Sequence, residues 1–571
     1  MELIVGGFIL SKKNWNYNYV KRSINIFERK NLAPNKEIDF LDFKLIIYKK
    51  RSVNNENFFQ FSNSDFIAST GTPVYKNRIG EEAAKNLYQD ILTSKNIDFS
   101  NLRGHYCYLI KINDKFLIFN DYNGLYHVYH DIDKNVFSNS FLAISEILSH
   151  KEVSAPELYE YILYESTFGR KTIVKNINQL NNRYIHEICP GKKEIEKYYT
   201  IDDEPNYLKF DETVKYTSEK ITNYFKCLLD NFQSMTLGLS GGFDSRLILM
   251  CLLNNNRKPK IYTSGSKDSF DVNFARNICK TFNLDFTHYD LKEEHKYSVD
   301  RYKELIVEKF INTDGIVYNG IFSSFGTGMD IDSSEKAELN FNGAGGEIYQ
   351  SFWKLPGNSL NISEFIQSRY NNFNSDLTTN IFNKTEFFRT LGKKNLESLD
   401  FKPKNSKISG DLIELLYPNF RLRYWFGKIT SRLNQFCYSL VPFSEPYFYF
   451  YSYKIPIKFK VGGKFEAALL KNINPEIAKY NSQYGFNFFE GPPLKHQILD
   501  WFKIYTPIYI RPLFRRVKSK NLSGLQELKE NSKIFFNDPL LIDEFINRDK
   551  VTNIEMYSRI LTVEYFLRNF M

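Results

Sequence analysis

Apolar residues recur along this chain in two rhythms. Short runs rich in β-branched and aromatic side chains fill the first two hundred residues: Leu3–Leu10, Phe43–Tyr48, Tyr106–Ile112 and Phe116–Asn120. Runs of this kind bounded by turn residues predict strands, and Asn113-Asp114 and Asn123-Gly124 supply the turns. Glu81–Leu92 and Pro156–Tyr164 have helical spacing. Hairpins followed by helices predict a layered α+β domain over residues 1–204. Asp202–Phe210, polar and containing Pro205, reads as a linker. Beyond it the rhythm lengthens. Val214–Phe232 is helical in spacing, Met235–Leu239 is a short apolar strand, and an apolar helix opens at Asp244 with Leu247, Ile248, Met250, Cys251 and Leu253. Strand Lys260–Ser264, helix Asp271–Phe282 and strand Phe286–Asp290 follow. This alternation predicts an α/β domain with a parallel sheet over residues 205–571. Its C-terminal part, Ile498–Met571, reads as helical, with Trp501, Phe502, Tyr505 and Tyr509 as core or interface residues.

The turn between strand and helix at 235–253 carries the sharpest chemistry. It reads Leu239-Ser240-Gly241-Gly242-Phe243-Asp244-Ser245. Two glycines let the backbone approach an anion closely, and free N–H groups at the turn and helix start would point at it. Ser240 and Ser245 add hydroxyl donors. A carboxylate at Asp244 beside phosphate needs a cation between them, which predicts a Mg²⁺ ligand. The Walker pattern GxxxxGK[ST] is absent here.

Composition changes this picture little. The net charge of +10, from 76 basic and 66 acidic residues, predicts a soluble surface and no nucleic-acid partner. Six scattered cysteines without a CxxC pair give no support for zinc, iron–sulfur or thiolation chemistry. No histidine pair has zinc-helix spacing; His127 and His130 lie three apart in a hairpin-like region. The apolar start is shorter than a signal-peptide core and lacks a basic leader, and no run is long enough to cross a membrane. The expectation is a cytoplasmic protein without a membrane partner.

The SGGxDS turn resembles the pyrophosphate loop of ATP pyrophosphatases. The order of the surrounding pieces resembles asparagine synthetases almost end to end. Arg103-Gly104-His105-Tyr106, Asp121-Tyr122-Asn123-Gly124-Leu125-Tyr126, Phe137-Ser138-Asn139-Ser140 and Lys171-Thr172-Ile173 are similar to landmarks of that family's N-terminal-nucleophile (Ntn) glutaminase domain. The resemblance implies that Thr263, Ser264 and Gly265 hold adenine through main-chain atoms. Gly343-Ala344-Gly345-Gly346-Glu347 resembles the second loop, with Gly343 lining the nucleotide and Glu347 as the second Mg²⁺ ligand. Val441-Pro442-Phe443-Ser444-Glu445 and Asn481-Ser482-Gln483-Tyr484-Gly485-Phe486 are similar to later landmarks.

The departures matter as much. Glu2 stands where the glutaminase has its nucleophilic Cys, so no glutamine hydrolysis is expected. Ala344 replaces a catalytic Glu, or the Tyr of β-lactam synthetase. Leu440 replaces an Arg. Gln483 replaces the Lys that offsets charge on the adenylate, with Lys464, Lys471 and Lys479 as candidate substitutes. The resemblance therefore implies an ATP- and Mg²⁺-dependent amide ligase using Asp244, Glu347 and Gln483. It would adenylate a small-molecule, peptide or sugar carboxylate and pass it to ammonia or a substrate amine, as β-lactam synthetase and lasso-peptide cyclases do. The alternative is an inactive relative serving as a nucleotide-binding or partner subunit. A homodimer or partner protein is left open.

Overall fold

The computed structural model describes residues 6–50, 57–61, 64–93, 97–201, 209–290, 298–323, 329, 332–333, 335–355, 359–370, 375–399, 407–507, 510–511 and 522–571. Glu2, Tyr509 and most of the expected linker lie outside them.

Strand alternation builds the first part. In Gly7–Lys12, Phe8 and Leu10 face one side and Ile9 the other. Leu45 and Ile47 of Phe43–Tyr48 join the first side, Ile46 and Tyr48 the second. This is the two-residue period of a pleated strand. A six-stranded antiparallel sheet, ordered Ile177–Gln179, Tyr129–Asp131, Val136–Ser138, Gly7–Lys12, Phe43–Tyr48, Pro34–Phe40, contributes one wall. A second six-stranded antiparallel sheet, centred on Lys115–Asn120 and Tyr106–Ile112, contributes the other. Phe8, Leu45, Leu109, Phe116 and Ile118 fill the space between them. The outer faces carry helices: Tyr17–Arg29 and Phe141–Ile147 over the first sheet, Gly80–Thr93 over the second. The layers run helix, sheet, sheet, helix.

The second part holds a five-stranded parallel sheet. Its spatial order is Phe286–Tyr289, Lys260–Ser264, Met235–Gly238, Leu339–Phe341, Tyr438–Leu440. In chain order this is third, second, first, fourth, fifth. The winding therefore reverses between Met235–Gly238 and Leu339–Phe341. Ligands of open α/β sheets bind beyond the strand ends at such a reversal, and both glycine loops leave the sheet there.

Three C-terminal helices, Leu494–Tyr505, Leu522–Ser532 and Ile554–Phe570, are joined partly by 3₁₀ turns. The last returns to the first part: Arg559 donates from Nε to Ile162 O (2.9 Å), and its Nη1 bonds Tyr318 O of the second part (2.9 Å). Of the core and interface roles expected for Trp501, Phe502 and Tyr505, the core one is excluded: all three are exposed, because their helix rests on the protein along another edge. Among the described residues, no helix is long and apolar enough to cross a membrane.

Motifs from the two parts meet at Val441–Glu445. Val441 N–H donates to His105 Nε2 (3.1 Å), and Asn123 Nδ2 donates to Ser444 O (3.1 Å). Burial pushes His105 down to about 3, which keeps this ring neutral and able to accept. Tyr224 donates to Glu445 Oε1 (2.5 Å), and burial pushes that carboxyl up to about 7. His127 and His130 are likewise buried and bond backbone carbonyls, so their roles are structural. A second joint is ionic: Lys394 Nζ lies 2.9 Å from Glu157 Oε1 and 2.6 Å from Glu160 Oε1, with both carboxylates buried and the lysine nearly so.

Removing the cation of that triad strands two carboxylates in the interior. Lys394→Met is expected to cost about 3–5 kcal/mol of unfolding free energy near neutral pH. The loss should shrink at about pH 5, where protonation relieves the stranded charges. Urea denaturation at the two pH values checks both.

Candidate functional site

The strand Met235–Gly238 delivers the chain to the reversal point, and Asp244 opens the helix Asp244–Asn254. That helix is buried nearly all round through Leu247, Ile248, Leu249, Met250, Cys251 and Leu252, so its start is held firmly. Its N-cap residue, Phe243, makes no side-chain cap bond, and the acidic residue of its first turn is Asp244 itself. A Cβ on Gly241 would fall 2.2 Å from the Phe270 ring, and one on Gly242 would come 3.1 Å from Gln483 Nε2.

The expectation of free N–H groups throughout the turn needs correction. Ser240 N–H donates to Ser245 Oγ (3.0 Å), and Gly241 N–H donates to Asp271 Oδ1 (2.8 Å). Gly242 N–H makes a longer bond to Ser240 Oγ (3.4 Å). Leu239 O accepts from Thr263 Oγ1 (2.7 Å), which ties the turn to the neighbouring strand. Ser264 and Gly265 follow at that strand's end, but Gly265 has its main chain engaged. Its N–H donates to Tyr289 O (3.1 Å) and its carbonyl pairs with His288 Nε2 (2.9 Å).

The second glycine loop packs directly on the first. A Cβ on Gly343 would lie 2.7 Å from Ser245 N, and one on Gly346 would lie 2.2 Å from Asp244 Oδ1. Gly345 has φ +100°, the left-handed region that favours glycine. The Glu347 carboxylate is fixed by Gly345 N–H (3.1 Å) and by the Tyr417 hydroxyl (2.5 Å). Ala344 N–H donates to Asn342 Oδ1 (2.9 Å); its methyl group brings no acid or base.

Asp244 and Glu347 therefore converge, and their field is uncompensated. Burial, then Glu347, then Glu466 hold the Asp244 carboxyl well above its ordinary range. Burial pushes Glu466 up to about 8, with Lys354 opposing and Glu347 and Asp500 adding to the rise. Glu466 Oε1 is buried with no hydrogen-bond partner. A cation is the group this cluster lacks. Among the described residues no group of three or more His, Cys, Asp or Glu is arranged to hold a metal by itself. Two carboxylates fit Mg²⁺ when phosphate and water oxygens complete the shell.

Sequence reasoning missed Glu466, Tyr417 and two cations. Arg246 is fully buried, with its guanidinium between the rings of Phe274 (4.2 Å) and Phe488 (4.9 Å). It donates to Tyr480 O (2.7 Å), Asn481 O (2.9 Å) and Gly241 O (3.2 Å). Gln483 N–H adds a bond to Gly241 O (3.2 Å). Arg246 thus carries the 480–483 segment, and with it Gln483, onto the glycine turn. A lone cation inside an apolar helix was the available signal. The other is Lys354, 2.9 Å from Asp500 Oδ1 and opposing the charge on Glu466; nothing in the sequence marks it. Lys464, Lys471 and Lys479 are exposed, and Lys479 pairs with Glu476 (2.8 Å).

No family model matches the chain, and no curated protein sequence matches it. Among solved structures it is similar to glutamine phosphoribosylpyrophosphate amidotransferase from B. subtilis complexed with ADP and GMP. That match has 9% identity over 49% of this chain and 65% of the other, with a TM-score of 0.23. A second, the allosteric regulatory enzyme of purine biosynthesis, gives 10% identity, 49% and 64% coverage and a TM-score of 0.21. The chain spans less than two thirds of either. Likeness this slight carries no argument, and the reading rests on the residues.

Glu466 gives a pH test. Its carboxyl is held at about 8 against an ordinary 4.5. Between those values the native state keeps a proton that the unfolded chain has released, so stability falls as pH rises through the window. Glu466→Gln removes that term. The variant is expected to gain roughly 2–4 kcal/mol relative to wild type on going from about pH 5 to about pH 8, read by urea denaturation.

Proposed function

We propose that this chain is an ATP-dependent amide-forming ligase on the plan of the asparagine synthetases, with residues 205–571 as the nucleotide-binding domain. The observation that carries the reading is the close packing of Gly343 and Gly346 on Asp244-Ser245. It brings two carboxylates together where the sheet's winding reverses. Residues 1–204 are read as an Ntn-like domain, and the scheme takes its nitrogen from free ammonia or a substrate amine rather than from glutamine. The compartment proposed is the cytoplasm.

ATP is consumed in this scheme and is a substrate. An oxygen of the substrate carboxylate attacks the α-phosphorus, the bond to the bridging oxygen of the β-phosphate breaks, and pyrophosphate leaves. The amine nitrogen then attacks the acyl carbon, loses a proton and expels AMP. Asp244 and Glu347 would hold Mg²⁺, which neutralises charge on the pyrophosphate. The helix start at Asp244 and the Gly242 turn orient the leaving group. Ser240 and Ser245 exchange their mutual hydrogen bond for phosphate oxygens. The Gln483 amide, laid over Gly242, offers a donor without charge, so it orients the adenylate more than it stabilises it. The carboxylate and the amine belong to a small molecule, peptide or sugar.

A nucleotide-binding partner subunit is the second reading. It is favoured by the occupied N–H groups of Ser240 and Gly241 together with Ala344 and Gln483.

The test is exchange of labelled pyrophosphate into ATP in the presence of candidate acids. Wild type is expected to exchange with one of them. Asp244→Asn, which keeps the shape and removes the charge, is expected to lower exchange by about 10²-fold or more with unchanged unfolding free energy or better. Mg²⁺-ATP binding without exchange for any acid would select the second reading.

A further inference from the structure

The two parts also meet over a cavity lined on one side by the helix Arg423–Phe436. Lys428, Ser431, Arg432 and Gln435 stand at i, i+3, i+4 and i+7 and all line it, so one polar stripe of that helix faces the cavity. The first part supplies the other side. Gln179 sits opposite Tyr129 in the strand register, and both line the cavity. Side chains directly opposite share a face of the sheet, which turns Gln179 inward. The space open to the centre of a water molecule is about 30 Å³. That holds roughly two waters, or one monatomic anion with a water beside it.

What the lining lacks is an anion. Lys428 Nζ and Gln179 Nε2 are both buried with no hydrogen-bond partner, and both are donors. The acid of the lining, Asp314, is already engaged: it accepts from Lys30 Nζ (3.0 Å), from Ser140 Oγ (2.5 Å) and from the Phe141 N–H. Gln435 Oε1 likewise accepts from Lys30 Nζ (3.4 Å). Two cations of the helix stripe, Lys428 and Arg432, thus stand over an acid that a third cation has paired. The Tyr161 ring, 5.6 Å from Lys428 Nζ, offers only its face. Burial pushes the Lys428 ammonium down to about 7, with Asp314 and then Glu160 opposing; Glu160 is itself paired with Lys394. A buried cation without a counter-charge is costly. Water would satisfy the two donors but not the charge.

We propose that this cavity binds a chloride-sized monovalent anion, held by the Lys428 ammonium and the Gln179 amide. Gln179 comes from one part and Lys428 from the other, so the anion fastens the first part to the helix Arg423–Phe436. The site uses neither the glycine loops nor ATP, and it stands or falls apart from the ligase reading.

Two measurements on the full chain test it. Crystals soaked in sodium bromide are expected to show an anomalous peak in the cavity, beside Lys428 Nζ and Gln179 Nε2. In solution, Tm is expected to rise saturably, by about 1–3 °C, as chloride replaces gluconate at constant ionic strength; gluconate is too large for the cavity. Lys428→Met keeps the stem and removes the charge, and it should lose both the peak and the chloride dependence. Gln179→Leu leaves the cation in place and should weaken the chloride dependence severalfold, which gives the answer should the first variant not fold. Equal Tm in both salts, or a chloride dependence that either variant keeps in full, overturns the proposal. A cavity without a bromide peak overturns it in favour of water. A peak without a chloride-dependent Tm marks an adventitious ion only and overturns it as well.

Discussion

Two carboxylates held together without a counter-charge set the terms for this molecule. Asp244 and Glu347 meet because Gly343 and Gly346 allow one loop to rest on the backbone and carboxyl of the other. Any side chain at Gly346 would occupy the space of the Asp244 oxygen. The arrangement costs free energy in the isolated protein, since burial and the neighbouring carboxylates oppose ionisation of Asp244. A cluster of this kind marks a functional-site candidate, and in the proposed reading the missing charge is a Mg²⁺ that the two carboxylates share with a polyphosphate.

The rest of the second part keeps those loops from drifting apart. The sheet sets their origin at the winding reversal, and the buried Asp244–Asn254 helix fixes the first turn from behind. Arg246 pins the 480–483 segment to Gly241 through carbonyl bonds and two stacked rings. Tyr417 and Gly345 fix Glu347. The first part contributes through Val441–Glu445, where a neutral His105 accepts from the backbone and Asn123 donates to it. That joint places the layered sheets against the strand beside the second glycine loop, so the two parts share a boundary built of the motifs each one carries.

Much of this was legible in the sequence. Strands Phe43–Tyr48, Tyr106–Ile112 and Lys260–Ser264 match their predicted bounds, because local alternation and turn residues decide them. The glycine turn was legible because close backbone approach leaves glycine as its trace; the placing of Glu347 opposite Asp244 came only from the resemblance of the second loop. The occupied N–H groups of Ser240 and Gly241 were not. Asp271 reaches Gly241 from thirty residues away, and tertiary hydrogen bonds leave no local pattern. Lys354 was invisible for the same reason. The sequence left Trp501 and Phe502 open between core and interface because an apolar helical stripe looks the same whether it faces a core or solvent; the buried Asp500 on the opposite edge excludes the core.

The central claim is that Asp244 and Glu347 share a divalent cation carrying a triphosphate. The most direct measurement is a crystal structure with Mn²⁺ and a non-hydrolysable ATP analogue, with the metal located by anomalous scattering. The account predicts a metal peak between the two carboxylates and the phosphates on the Ser240–Ser245 turn. No metal between the two carboxylates, or a triphosphate bound elsewhere on the chain, would contradict it.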